Sequence, residues 1–374
     1  MSFDIASLVR PDVATMEAYV PILPFEVLSV QLGRPADQII KMDANENPYG
    51  PSPRVREALA SMAYPHIYPD PESRQLRAAL SEFVGLPADY LLAGHGADEL
   101  IDLIMRLFIQ PGDVIVNCPP TFGMYRFDAG VNGAQVHAVW RRPDFSLDVA
   151  AVEQAVARHP RCKIVFVTSP NNPDGSMLPE SDLLRLLDLP VLVVLDEAYV
   201  EFAGLEHSRI RLVPEHTNLV VLRTFSKWAG LAGLRLGFGA FPIALMEHLW
   251  KIKQPYNVNA AAAAAAIASL EDAAYLMGNV ARLVEQRQRL ERELARYPFL
   301  QPFPSRANFV LCRVRGRSAR GLWQALRHLG VLVRYFDQPG LADCIRISAG
   351  TPEQIDALLA ALSQIGEEDD GQTG

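Results

Sequence analysis

The chain has 374 residues, 49% of them apolar and 21% charged, with a formal net charge of −8. Such a length exceeds what one hydrophobic core serves, so two domains are expected in an ordinary soluble protein. The acidic balance without any Lys/Arg-rich run speaks against a nucleic-acid partner, and the four scattered cysteines show no metal-ligand spacing, so no metal is assigned.

The N-terminal residues carry an acid and lack an apolar segment, which gives no signal peptide and a cytoplasmic expectation. Residues 1–44, broken by Pro11, Pro21 and Pro24, read as an arm joining the smaller domain. A cluster of turn formers, Asp43 to Pro53, follows. From there short apolar segments alternate with helical patterns. Helices are expected at 53–62, 73–84 and from Leu100 to Phe108, and strands at 90–93 and 114–116. A helix at 149–158 precedes a strand at 163–167, and a helix at 181–187 precedes a strand at 191–195. A further strand at 219–222 runs into Thr224-Phe-Ser-Lys-Trp-Ala-Gly. Apolar strands alternating with helices indicate an α/β fold, a mostly parallel sheet covered on both faces. The run Ala260–Ala266 reads as a packed helix too short to span a bilayer, and 276–296 as a long helix bridging two domains. Strands at 308–312, 331–334 and 344–347 with helices at 319–329 and 352–365 make a smaller α+β domain, 276–366. The large domain is then 45–275, and the acidic end, 367–374, is expected to be disordered.

The chemistry gathers beyond the carboxyl ends of the large-domain strands, where open α/β sheets bind ligands. Lys227 follows an apolar strand, and desolvation there favours its neutral, nucleophilic form, able to make a Schiff base. Thr224, Ser226 and Arg235 offer two hydroxyls and a guanidinium for one phosphate. Gly94-His-Gly-Ala-Asp-Glu99 adds backbone amides at a helix start, or is a plain glycine turn capped by Asp98. Lysine plus phosphate cradle points to pyridoxal phosphate. Asp196, after five apolar residues, needs a partner. A protonated pyridine nitrogen would suit it, as would an ion pair or a turn cap. Tyr199 and Asn172 can reach a ring oxygen, and Phe122 and Tyr125 can offer an aromatic face; each also has an ordinary packing or turn role.

In order and spacing, Asn45-Glu-Asn-Pro48, Tyr68-Pro69, Gly96-Ala-Asp-Glu99, Cys118 to Tyr125, Ser169-Pro-Asn-Asn-Pro173, Asp196-Glu-Ala-Tyr199 and Ser226-Lys227 resemble the fold-type-I pyridoxal-phosphate enzymes of the aspartate aminotransferase superfamily. Within it they look like the histidinol-phosphate aminotransferases, over nearly the whole chain. The resemblance implies that Lys227 binds the cofactor and shuttles a proton, with Asp196 on the pyridinium and Asn172 and Tyr199 on the phenolic oxygen. It puts the amides of Ala97 and Asp98, with Thr224, Ser226 and Arg235, on the phosphate, and Phe122 against the ring. Tyr68 would reach the cofactor phosphate of the partner in a homodimer. Arg346 would bind the substrate carboxylate, and Asn45, Arg334 and Tyr19 would meet substrate. The implied reaction takes L-histidinol phosphate and 2-oxoglutarate to imidazole acetol phosphate and L-glutamate. An aromatic amino-acid aminotransferase and a lyase resembling threonine-phosphate decarboxylase are the rival enzymes, and a cofactor-binding regulator the rival outside enzymology. Three positions depart from the family: Phe122 replaces a tyrosine, Asp174 a threonine, and His95 an Asn or Ser.

Overall fold

The computed structural model describes residues 3–18 and 23–370, with side chains to 367. Among the described residues twelve strands form two sheets. The larger holds β2 (Leu91–Gly94), β3 (Val114–Asn117), β4 (Gln135–Ala138), β5 (Cys162–Thr168), β6 (Leu192–Asp196), β7 (Leu219–Thr224) and β8 (Gly237–Ala240). Their order is β2-β8-β7-β6-β5-β3-β4, parallel except that β8 runs antiparallel to both neighbours. Alternation in the central strands feeds two cores. Val193, Leu195, Leu219 and Val221 pack on one face; Leu192, Val194, Val220 and Leu222 pack on the other. Helices Arg74–Val84, Val149–Arg158, Glu180–Leu187 and Ala260–Glu271 cover the first face, and Gly96–Phe108, Met124–Val131 and Ile243–Ile252 the second. A strand buried on both sides has no polar face to show, hence the unbroken apolar runs in the sequence.

The smaller sheet has order β1-β11-β12-β10-β9, from β1 (Ile40–Met42), β9 (Leu300–Pro302), β10 (Phe309–Val314), β11 (Val331–Tyr335) and β12 (Cys344–Ser348). β1 comes from the arm and pairs parallel with β11, so the chain starts in the small sheet before building the large one. The 22-residue helix Ala273–Leu294 joins the two cores: Leu276, Val280 and Leu283 lie in the larger, Leu290 and Leu294 in the smaller. Among the described residues no single helix is long and apolar enough to cross a membrane.

Several elements carry no clear sequence signal. Helix Phe25–Leu32, helix Met124–Val131, β4 and β8 all fall in stretches without sustained periodicity. For β8, Gly-Phe-Gly-Ala, the reason is steric: a Cβ on Gly237 would stand 2.4 Å from the Ala97 amide nitrogen, so the strand gives up side chains to let a helix start approach. The last helix, Pro352–Asp370, runs past the expected Ile365 into the acidic end, and 371–374 lie outside the described residues.

Two glycines separate these effects. Gly237→Ala is expected to lower stability by about 1–3 kcal/mol through overpacking. Gly278→Ala, inside the bridging helix with nothing within 4 Å, should raise it by about 0.5–1 kcal/mol. Denaturant unfolding of both variants measures the difference.

Candidate active site

β5, β6 and β7 are parallel neighbours, so their carboxyl ends converge, with Thr168 paired to Asp196 and Asp196 to Leu222 in register. The start of helix Gly96–Phe108 reaches the same edge from β2. Between this edge and the small sheet lies a cavity of about 770 Å³.

One end of the cavity is built for an anion. Ala97 and Asp98, in the first turn of a 13-residue helix, line it together with Thr224, Ser226 and Arg235. The Thr224 hydroxyl accepts from the Ser226 amide at 3.1 Å and donates to Ser226 Oγ at 3.0 Å, which fixes both hydroxyls in one turn. Arg235 adopts a left-handed backbone (φ 55°), and its Nη2 meets Asp98 Oδ2 at 2.8 Å. His95, one of the three departures from the family, is exposed and is not among the cavity residues.

At the other end, Asp196 closes β6 with 3% of its surface exposed. The Tyr125 hydroxyl donates to its Oδ2 at 2.5 Å and the Ala198 amide to its Oδ1 at 3.0 Å. Both donors are neutral, and among the described residues no ion pair engages the carboxylate. Burial pushes Asp196 up to about 6, against the downward pull of the Tyr125 hydrogen bond. This corrects the expected role of Tyr125. Its ring is fully buried and stacks on Phe166 at 4.8 Å, so it works behind the carboxylate and presents no face to the cavity. Phe122, three residues earlier, does line the cavity and meets Tyr125 edge-on.

Lys227 lies between the two ends. Its Nζ donates to the Ala44 carbonyl at 3.1 Å, and burial first, then the Arg346 charge, lowers it to about 8. Asn172 and Tyr199 share the cavity wall. Asn172 Oδ1 accepts from Arg346 Nη1 at 2.5 Å, and the Tyr199 hydroxyl accepts from Asn45 Nδ2 at 3.0 Å. Asn45 is 1% exposed and its amide is committed. Ser348 Oγ donates to Oδ1, and Asn308 Nδ2 donates to the Asn45 carbonyl, so this residue ties the two sheets together while lining the cavity. Polar Asn308 and Ser348, set among apolar strand residues, are the signal that could have exposed this knot. Asp174 is likewise internal. It accepts from the Asn171 side chain and from the Ser176 amide at 2.8 Å, which staples its own loop and keeps the carboxylate off the cavity.

Arg334 and Arg346 come from the small sheet, directly opposite each other in the β11–β12 pair, and both line the cavity. Arg346 Nη2 also donates to the Asp43 carbonyl at 2.8 Å. Tyr68 is 78% exposed, stacks on Tyr256 at 4.6 Å, and does not line the cavity of its own chain. Tyr19 lies outside the described residues.

The donor set fits pyridoxal phosphate. Hydroxyls, helix amides and a guanidinium suit its phosphate, Lys227 its aldehyde, and Asp196, a buried carboxylate with only neutral partners, a cationic ring nitrogen. A proton and that ring nitrogen then compete for Asp196. Cofactor affinity is expected to fall as pH drops through about 6, where the carboxylate is lost, and to level off above it. Asp196→Asn should remove this component, and Tyr125→Phe should move its midpoint upward by removing a donor to the charged form. Absorbance titrations of the apoprotein from pH 5 to 8 test this; native and Asn variants with matching pH profiles would separate the carboxylate from the ring.

The comparisons with known proteins agree with this geometry. The family model for aminotransferase class I and II matches residues 37–362. The chain is 56% identical over 357 residues to a chloroplastic histidinol-phosphate aminotransferase from Nicotiana plumbaginifolia, covering 95% of this chain and 86% of the relative. It is 53% identical over 373 residues to a histidinol-phosphate aminotransferase from Roseiflexus castenholzii, covering 98% and 100%. The crystal structure of a histidinol-phosphate aminotransferase from Sinorhizobium meliloti in complex with pyridoxal-5'-phosphate superposes with a TM-score of 0.87 at 31% identity, covering 96% and 97%. With the amine, the buried carboxylate and the phosphate cradle in one cavity, the chain belongs to the class I and II aminotransferases, enzymes that work with pyridoxal phosphate.

Proposed function

We propose that this protein transfers the amino group of L-histidinol phosphate to 2-oxoglutarate, giving imidazole acetol phosphate and L-glutamate, as a step of histidine biosynthesis. The activity named for relatives at 53–56% identity supplies the substrate. One observation carries the chemistry: Lys227, Asp196 and the arginine pair Arg334 and Arg346 face a single cavity.

Pyridoxal phosphate supplies an electron sink and an aldehyde that takes up the amino group from one substrate and passes it to the next. Asp196, ionised above about pH 6, would hold the protonated ring nitrogen of the cofactor. Lys227, titrating near 8, has a neutral fraction at physiological pH and can move the proton at the substrate Cα. The Tyr199 hydroxyl and the Asn172 amide would hold the ring oxygen, and Phe122, which lines the same cavity, would offer an aromatic face to the ring. Arg346 is held flat by Asn172 and the Asp43 carbonyl and, with Arg334 beside it, meets the anion next to Cα. That anion is a phosphate in one substrate and a carboxylate in the other; a planar guanidinium fork accepts both.

The reading includes a homodimer. Tyr68, with Tyr64 and Ile67 nearby, leaves an apolar surface exposed next to Tyr256, and its hydroxyl is free to reach a neighbouring copy's cofactor phosphate. Light scattering should give twice the chain mass, and Tyr68→Phe should weaken cofactor binding severalfold; a monomer with full activity would refute this part.

Lys227→Ala is expected to abolish turnover and the cofactor's Schiff-base absorbance. A half-reaction screen of the native enzyme with histidinol phosphate, phenylalanine, tyrosine and threonine phosphate, read by the cofactor spectrum, should show strong preference for the first. Faster conversion with the aromatic amino acids, or carbon dioxide release without a keto acid, would replace this reading by one of its rivals.

A further inference from the structure

The proposed reaction leaves a recognition problem. Histidinol phosphate carries one anion, next to the reacting carbon, whereas 2-oxoglutarate and glutamate carry a second at the far end of the side chain. Among the described residues five cationic side chains line the cavity: Arg126, Lys227, Arg235, Arg334 and Arg346. Lys227 is the reacting amine. Arg235 is paired with Asp98 at the phosphate end. Arg334 and Arg346 sit side by side on the small sheet and serve the anion at the reacting carbon. Only Arg126 is unassigned, and it comes from the large domain.

The register of helix Met124–Val131 decides where Arg126 points. Tyr125 and Ala129 are fully buried in the core, and Asp128 is 6% exposed. That leaves Gly123, Arg126, Phe127 and Gly130, at helical spacing, to form the face that lines the cavity. The Tyr125 hydroxyl, tied to Asp196, pins the same register. Arg126 is therefore held on the cavity wall by contacts on the other side of its helix. It is exposed, and among the described residues it forms no ion pair or hydrogen bond. Glu17, from the arm segment Thr15–Ala18 that lines the same mouth, is not paired with it.

We propose that Arg126 is the specificity residue for the amino acceptor, its guanidinium binding the distal carboxylate of 2-oxoglutarate and of glutamate. The inference rests on the aminotransferase reading above. A long, exposed arginine suits a site that must also admit an imidazole: it pairs with a carboxylate when one arrives and stays in solvent when none does. The five lining cations exceed the three lining acids, Glu17, Asp98 and Asp196, in a chain whose net charge is −8, so the cavity draws dianionic ligands against the overall charge.

The test compares half-reactions of native, Arg126→Gln and Arg126→Lys enzymes with L-glutamate, with L-2-aminopentanoate, which lacks the distal carboxylate, and with histidinol phosphate. Native enzyme should prefer glutamate over aminopentanoate. The Gln variant should lose about 10- to 100-fold of that preference, in half-saturation more than in limiting rate, as expected for one charge-assisted contact. The Lys variant should recover part of it. Equal losses with all three donors would make Arg126 structural, a loss confined to histidinol phosphate would assign it to the phosphate, and no change would remove it from the site; each overturns the proposal. A native enzyme that reacts with glutamate but not with histidinol phosphate would instead refute the donor assignment, leaving the glutamate comparison to decide on Arg126.

Discussion

A carboxylate taken out of water at the end of a buried strand is the constraint around which this molecule is organised. Asp196 has an amide and a phenol as partners and no cation of the described protein in ion-pair contact. Removing one partner from a buried charge pair costs several kcal/mol, so a lone buried carboxylate marks a place where the fold anticipates a ligand's positive charge. The surroundings limit that cost without cancelling it. Tyr125 and Ala198 hold the charged form, while the apolar strand pushes the carboxyl up to about 6. The empty cavity thus holds a carboxylate that is lost as pH falls through about 6, and a cationic ring nitrogen would keep it ionised to lower pH.

The second constraint is the joining of two sheets across the cavity. The short segment Asp43-Ala44-Asn45, leaving β1 of the small sheet, is gripped from both sides. Arg346 holds the Asp43 carbonyl, Lys227 the Ala44 carbonyl, and Ser348, Asn308 and Tyr199 hold Asn45. Groups that line the cavity therefore also fasten the two sheets together. Asn45 adopts a left-handed backbone (φ 55°), a conformation asparagine tolerates better than most residues, which lets one residue face three elements. A ligand that draws Lys227 or Arg346 away from these carbonyls changes the contacts between the domains as it binds.

Part of this was legible in the chain because the signals are local. The apolar runs of β5, β6 and β7 read as buried parallel strands, and Asp196 and Lys227 stood out because a charge at the end of such a run needs a reason. Other features were hidden because their cause lies far away in sequence. The two-glycine strand β8 exists because of Ala97, more than a hundred residues earlier, and the helix carrying Arg126 is held by Phe166 and Asp196 rather than by its own periodicity. Asp174, chemically suspicious in the sequence, is a loop staple in the fold.

Sequence alone determined the fold class and singled out Lys227 and Asp196, because strand periodicity and a charge beside apolar residues are properties of neighbours along the chain. Tertiary structure decided which polar groups share the cavity, that Tyr125 stands behind Asp196 rather than beside a ring, and that Arg126 lines the cavity while exposed to solvent. Those outcomes depend on side chains meeting across sheets and domains, where burial and hydrogen-bond geometry are set by partners that no local pattern names.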